Sequence, residues 1–358
     1  MEILVKKADA GALKPKPADE SKLGFGNITT DHMFLMDYEA GKGWINPRVV
    51  PYGNLSISPA AMGIHYGQEI FEGLKAYRGK DGGIYLFRAR DNFIRLNNSA
   101  KRLCMPEVDM DLVMEGMRKL IVLDRDWVPR NEGTSLYIRP TMIATEPHLG
   151  VRPSNSYIFF IIVGPVGAYY KEGLNPVKIY VESKYVRAAV GGTGTAKTAG
   201  NYAASLLAAE EAKVKGFTQV LWLDAANHRF VEEVGTMNMF FLIGDELITA
   251  PLNGSILPGV TRDSVIKIAG DWGIKITERS LPIDEVIEAA QNGKLKEAFG
   301  TGTAAVISPV GQITYKEKDY IVAGGKMGEL SHRLYDEITG IQYGKRPDKH
   351  GWVERITK

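Results

Sequence analysis

Cysteine is nearly missing from this chain, and several other routes to stability or localisation are missing with it. Among 358 residues the one thiol is Cys104, which excludes an internal disulfide and a cysteine-built metal centre. The six histidines, His32, His65, His148, His228, His332 and His350, include no pair at metal-ligand spacing, so no metal is expected. No apolar run approaches the roughly 20 residues that cross a bilayer, the longest candidate being 157–166. Neither sign of charge is in excess. With 44 basic and 42 acidic residues the net charge is +2, so no nucleic-acid or membrane partner is expected. The opening M-E-I-L-V-K-K-A-D-A has no signal-peptide core and no Arg/Ser-rich transit character, so the expected compartment is a reducing cytoplasm.

What remains is a globular composition, 44% hydrophobic and 24% charged, in a chain too long for one ordinary core. Two domains are expected. A small α+β domain covers 1–165, with 1–24 loosely held. The Gly/Pro/Tyr-rich break that begins at Gly164 makes 166–176 the linker, and a larger domain fills 177–358. Alternating and β-branched segments predict strands at 33–38, 83–88, 135–139, 156–163, 177–182, 219–223, 239–243 and 247–249. Apolar residues at helical spacing predict helices from Asp91 to 103, at 109–122, 202–214, 261–272, 282–291 and 326–338, with Asp91 as an N-cap.

The stretch V-G-G-T-G-T-A-K-T-A-G-N-Y from Val190 carries most of the chemistry. It places Lys197 among four glycines between 191 and 200, which costs conformational entropy unless a ligand needs close approach to the backbone. Two chemistries need such a lysine: phosphate binding, and a covalent bond to a carbonyl cofactor. G-G-T-G-T-A-K-T comes within one residue of the phosphate-loop pattern, and Asp224 could stand as its Mg²⁺ acid. Ala196, however, stands where the last glycine belongs, and 185–190 makes a poor central strand.

Pyridoxal phosphate chemistry finds its other parts downstream. Glu233 sits in the apolar run F-V-E-E-V-G-T-M-N and suits a pyridine nitrogen; its neighbour Glu232 points the other way and is expected in solvent. I-L-P-G-V-T-R enters a helix with Thr261 at its cap, a natural phosphate seat. G-T-G-T-A-A from Gly300 and Gly235-Thr236 are further small, hydroxyl-bearing turns, and Arg88 supplies a counter-charge. Tyr202 is placed to bond a ring hydroxyl.

These residues also carry a family likeness. F-G-N-I-T-T-D-H-M, H-Y-G-Q-E-I-F-E-G-L-K-A-Y, Y-L-F-R, G-T-S-L-Y-I-R-P, G-G-T-G-T-A-K-T-A-G-N-Y, E-V-G-T-M-N, L-P-G-V-T-R and F-G-T-G-T-A occur in order. Over about 25–345 the chain resembles the branched-chain amino acid aminotransferases of fold type IV, the D-amino-acid-aminotransferase-like pyridoxal phosphate enzymes. The resemblance implies transamination of L-leucine, L-isoleucine and L-valine with 2-oxoglutarate, the alternative being a D-amino-acid aminotransferase of the same fold. The resemblance implies a mixed α/β, two-domain fold: a small α+β domain and a larger pseudo-barrel domain. It implies Lys197 as the cofactor lysine, Glu233 and Tyr202 at the ring, and Arg88, Thr236, Val260, Thr261 and Thr303 at the phosphate. It also implies a substrate pocket from Tyr66, Phe71, Tyr137, Arg139, Tyr169, Thr236 and Ala304, with Lys75 near it. Amino acids and 2-oxo acids would be its small-molecule partners and a second copy of the chain, in a homodimer, its protein partner. Where some animal members carry a C-x-x-C pair, Ala305 and Ser308 stand here, so no thiol switch is implied.

Overall fold

A computed structural model describes residues 1–167 and 174–356 of the chain, which forms two compact units. The first comprises Met1–Tyr169, Ala196–Ala199 and Gly340–Lys358; the second comprises Tyr170–Thr195 and Gly200–Thr339. Positions 168–173 of the expected linker, Tyr169 among them, lie outside the described residues.

The first unit is built on a nine-stranded sheet. Its strands are β1 (Leu4–Val5), β2 (His32–Glu39), β3 (Gly43–Pro51), β4 (Glu69–Phe71), β5 (Leu74–Arg78), β6 (Ile84–Phe87), β7 (Ser135–Ala144), β8 (Ser156–Val166) and the C-terminal strand Val353–Ile356. The order is β1-β3-β2-β8-β7-β5-β6 and then the C-terminal strand, with β4 beside β7. Aromatic and β-branched residues make β8 a good central strand, and it pairs along its length with β7, from Ala144↔Tyr157 to Ser135↔Val166. Helices α1 (Met62–Tyr66), α2 (Ala89–Arg102) and α3 (Met110–Leu123) follow the sequence order, and α2 and α3 pack into the core. Phe93 and Leu96 of α2 and Val113, Met117 and Leu120 of α3 join Phe34 and Phe159 in one cluster. Each such side chain contributes roughly 1.5–3 kcal/mol by leaving water. At Gly116 a side chain would strike the Phe34 ring, so only glycine lets α3 come this close.

Two helix starts contrast. Asp109 caps α3, accepting from the N–H groups of Asp111 and Leu112. Asp91 does not cap α2, contrary to expectation: the N-cap is Arg88, at φ 52°, and Asp91 lies inside the first turn. There its carboxylate complements the helix dipole and pairs with Arg88 Nε at 2.6 Å.

The second unit carries β9 (Val177–Val181), β10 (Gln219–Leu223), β11 (Val231–Val234), β12 (Met237–Ile243), β13 (Glu246–Thr249), β14 (Lys275–Glu278), β15 (Leu295–Gly302), β16 (Val306–Tyr315) and β17 (Lys318–Ile321). The path β11-β10-β9-β16-β15-β12 returns to β11 through the β11–β12 pairing, closing six strands into a barrel. The mixed fold with a barrel that the resemblance implies is therefore present. Val177, Leu221, Val231, Phe241, Ala298 and Ile313 share the barrel's apolar cluster. Helices α4 (Ala199–Val214), α5 (Val260–Asp271), α6 (Ile283–Gln291) and α7 (Glu329–Gln342) complete the set.

Candidate active site

In the second unit the sheet register gathers chemistry at one end. Glu233 pairs with Asn238 across the β11–β12 hairpin, and Asn238 pairs with Thr301 of β15. The hairpin turn Gly235-Thr236 and the β15–β16 turn that holds Thr303 and Ala304 therefore share that end of the sheet. Gly235 has φ 56°, and a side chain there would run into Gln219, so glycine is required. Thr236 is exposed.

Glu233 is 2% exposed and strongly held. Arg187 Nε stands 2.9 Å from one carboxylate oxygen. The other oxygen accepts from Asn238 Nδ2 and from the Leu257 N–H, each at 3.0 Å. Arg187 is itself fixed by the carbonyls of Gly194 and Ser255. Glu232 departs from expectation: it is 3% exposed, accepts from Ser255 Oγ, and burial raises its carboxyl above the usual range. Alternation did send the two glutamates to opposite faces of β11, but in this barrel unit the second face is packed rather than wet.

The loop after Leu257 leads into α5, whose N-cap is Gly259 and not Thr261; Val260 and Thr261 are its first two helical residues. A side chain at Gly259 would overlap Asn238 Oδ1, which explains the glycine. No side chain caps α5. The first N–H groups of a helix have no partner within it and point toward an anion at its positive end. Tyr202 lies half-buried in the first turn of α4.

In the first unit Lys197 joins an aromatic array. Its Nζ lies 5.1 Å from the Phe71 ring centroid, and the Arg139 guanidinium lies 4.8 Å from the same ring. Arg139 Nη2 donates to Tyr137 Oη at 3.0 Å, and Phe25 packs edge-on to Tyr137 at 4.9 Å. Phe25, Ile28, Tyr137, Arg139 and Ile162 line a cavity of about 140 Å³. Lys75 is paired with Tyr137 in the β5–β7 register and is buried, which lowers its amine to about 8. Tyr66 is 41% exposed on the short α1. Arg88 stacks 5.1 Å from the Trp352 ring centroid and directs its Nε to Asp91.

Sequence reasoning missed Arg187, Asn238 and Phe25. An arginine ten residues before the lysine carries no motif, and Asn238 and Phe25 lay inside recognised motifs without a role. The phosphate-loop alternative loses its context, because 185–195 forms bends and turns with no strand before the lysine. Asp224 spends its carboxylate on the N–H groups of Asn227, Arg229 and Phe230.

The family model "Amino-transferase class IV" matches residues 69–313, more than half of the chain. The chain therefore belongs to the class IV aminotransferases. Branched-chain-amino-acid aminotransferase 2 of Bacillus subtilis (strain 168) is 56% identical over 343 residues, covering 96% of this chain and 94% of that one. The crystal structure of the Escherichia coli branched-chain amino acid aminotransferase matches with a TM-score of 0.77 at 29% identity, over 91% of this chain and 99% of that one. The branched-chain aminotransferase of the thermophilic archaeon Thermoproteus uzoniensis, with norvaline, matches with a TM-score of 0.75 at 27% identity, over 90% and 100%. By its relatives this chain stands with the branched-chain enzymes, and the D-amino-acid reading is not favoured.

Proposed function

We propose that the chain transaminates L-leucine, L-isoleucine and L-valine with 2-oxoglutarate, giving branched 2-oxo acids and glutamate by a ping-pong route. The observation that carries this reading is the Lys197 amine set over Phe71 beside Arg139 and Tyr137. Class IV aminotransferases are pyridoxal phosphate enzymes, and the donor set here suits that group. A buried, triply held carboxylate suits a protonated ring nitrogen, and an uncapped helix start suits a phosphate.

When bound, pyridoxal phosphate supplies the sink for the electron pair that an amino acid keeps after losing its α-proton. Lys197 would hold the cofactor covalently, and its Nζ would be the base that accepts the proton of the substrate's α-carbon. Glu233 would accept a hydrogen bond from the ring nitrogen, and Arg187 and the Asn238 and Leu257 N–H groups hold its carboxylate in place for that contact. Tyr202 bonds the ring hydroxyl. Val260, Thr261, Thr236, Thr303 and Arg88 bind phosphate, with charge from the guanidinium. Phe71, Tyr137, Tyr66, Tyr169 and Ala304 receive the branched side chain. Arg139 and Lys75 favour a carboxylate, as 2-oxoglutarate requires. The working form is a cytoplasmic homodimer.

Borohydride reduction of the yellow holoprotein is expected to leave a pyridoxyl label on Lys197 and no other residue; a label elsewhere overturns the assignment. L-leucine is expected to be turned over and D-leucine not. Equal rates for both would return the D-amino-acid reading.

A further inference from the structure

The arm that precedes Phe25 is fastened to the first unit at successive points. β1 pairs in parallel with β3, Leu4↔Arg48 and Val5↔Val49. The Ala8 N–H donates to His32 Nε2 at 2.9 Å, and His32 Nδ1 meets Asp124 at 2.6 Å. The Lys14 N–H donates to Asp31 Oδ1 at 2.8 Å, and the other Asp31 oxygen accepts from Trp127 Nε1 at 2.7 Å. That backbone bond sets the Lys14 side chain against the segment after Phe25. Its Nζ donates to Thr29 Oγ1 and to the Thr30 carbonyl, each at 2.8 Å, and to the Thr29 carbonyl at 3.2 Å. An ammonium has three donors, so these bonds use all of them. The Tyr52 ring centroid lies 4.0 Å from the same nitrogen.

The segment held in this way is a wall. Phe25, Ile28 and Thr29 line the cavity of about 140 Å³ that Tyr137 and Arg139 share. β8 holds the wall from its other side. The Thr30 N–H donates to the Val163 carbonyl at 2.9 Å, and a side chain at Gly164 would run into the Ile28 carbonyl. From 24 to 30 the chain is neither helix nor strand, so no ladder of its own fixes its shape. Such a segment keeps one shape only through contacts like these, and bonds from a charged donor are the stronger kind.

We propose that Lys14 is a positioning residue that fixes the 25–29 wall and so sets how well the cavity fits a branched side chain. It acts through the wall and not on the substrate. The inference rests on the reading that this cavity receives that side chain. Its test compares full-length holoenzyme variants with two amino donors, L-leucine and L-2-aminobutyrate, whose shorter side chain offers the wall less. Hydrogen exchange at the 25–30 amides, measured alongside, reads the wall without reference to turnover.

Lys14→Met keeps an apolar stem and removes the three donors. It is expected to raise KM for L-leucine roughly tenfold with kcat within about twofold, and to leave kcat/KM for L-2-aminobutyrate within about twofold. Exchange at 25–30 is expected to quicken while that of α3 stays as it was. Equal losses for the two donors would mark a general structural role and overturn the proposal. An unchanged L-leucine KM, or unchanged exchange, overturns it too. Lys16→Met is the charge control, because Lys16 lies on the same arm over the Trp127 ring. It is expected to leave both donors near wild type, and a loss matching that of Lys14→Met overturns the proposal. Should Lys14→Met fail to fold, Thr29→Val removes only the hydroxyl that Lys14 meets. There a KM for L-leucine raised about twofold, with faster exchange, is expected, and no change overturns the proposal. If the cavity reading itself fails, Phe25→Ala also leaves the L-leucine KM unchanged; a KM raised by Phe25→Ala alone overturns only the role of Lys14.

Discussion

Glu233 concentrates the chemistry of the second unit in one carboxylate. Replacing it with alanine removes the ring-nitrogen partner and leaves Arg187 buried without its anion. Glu233→Ala is expected to lower kcat by something on the order of 10³-fold, about 4 kcal/mol. Urea midpoints measured alongside separate that loss from unfolding, and an unchanged kcat would place the ring partner elsewhere. Lys75 gives a prediction in pH. Burial lowers its amine from 10.5 to about 8, so between those values the unfolded chain holds a proton that the folded chain has released. Stability from this residue therefore grows as pH rises from 8 to 10.5 and is least below 8. A Lys75→Met variant should lose that alkaline gain, a differential on the order of 3 kcal/mol at most. Urea midpoints of both proteins at pH 7 and 10 check it; parallel pH profiles would show that the amine keeps its ordinary affinity for protons.

At the scale of elements, the β11–β12 hairpin and the start of α5 depend on one another through Asn238. Its Nδ2 donates to Glu233 at 3.0 Å and to the Leu257 carbonyl at 2.9 Å, while Gly259 leaves room for its Oδ1. Gly259→Ala should push Asn238 aside at a cost of roughly 1–3 kcal/mol and weaken pyridoxal phosphate binding. Thermal denaturation and a cofactor titration measure the two effects, and no change in either would mean that Asn238 moves freely. The same elements show where sequence reading stopped. Strongly periodic helices such as α3 and α6 were legible to within a residue or so at either end. β15 and β16 were not, because Gly300, Gly302, Pro309 and Gly311 look like turn residues in isolation. They become strands because neighbouring strands supply their hydrogen bonds, as Met239↔Gly300 and Gly300↔Ser308 show.

For the whole molecule, each unit has its own apolar cluster, and among the described residues no helix is long and apolar enough to cross a membrane. Sedimentation at micromolar concentration is expected to give twice the mass of the 39.4 kDa chain; a monomer retaining full activity would remove the homodimer from the functional reading.

Residue order alone determined the family, the candidate lysine and the carboxylate thirty-six positions after it, because motifs are local and survive without coordinates. Tertiary structure alone decided that Arg187 faces Glu233, that Glu232 is buried, and that Glu72 pairs with Arg95. Those facts depend on pairs far apart in the chain, on which face of a strand another layer covers, and on how much water packing leaves behind. None of these is written in the neighbouring residues.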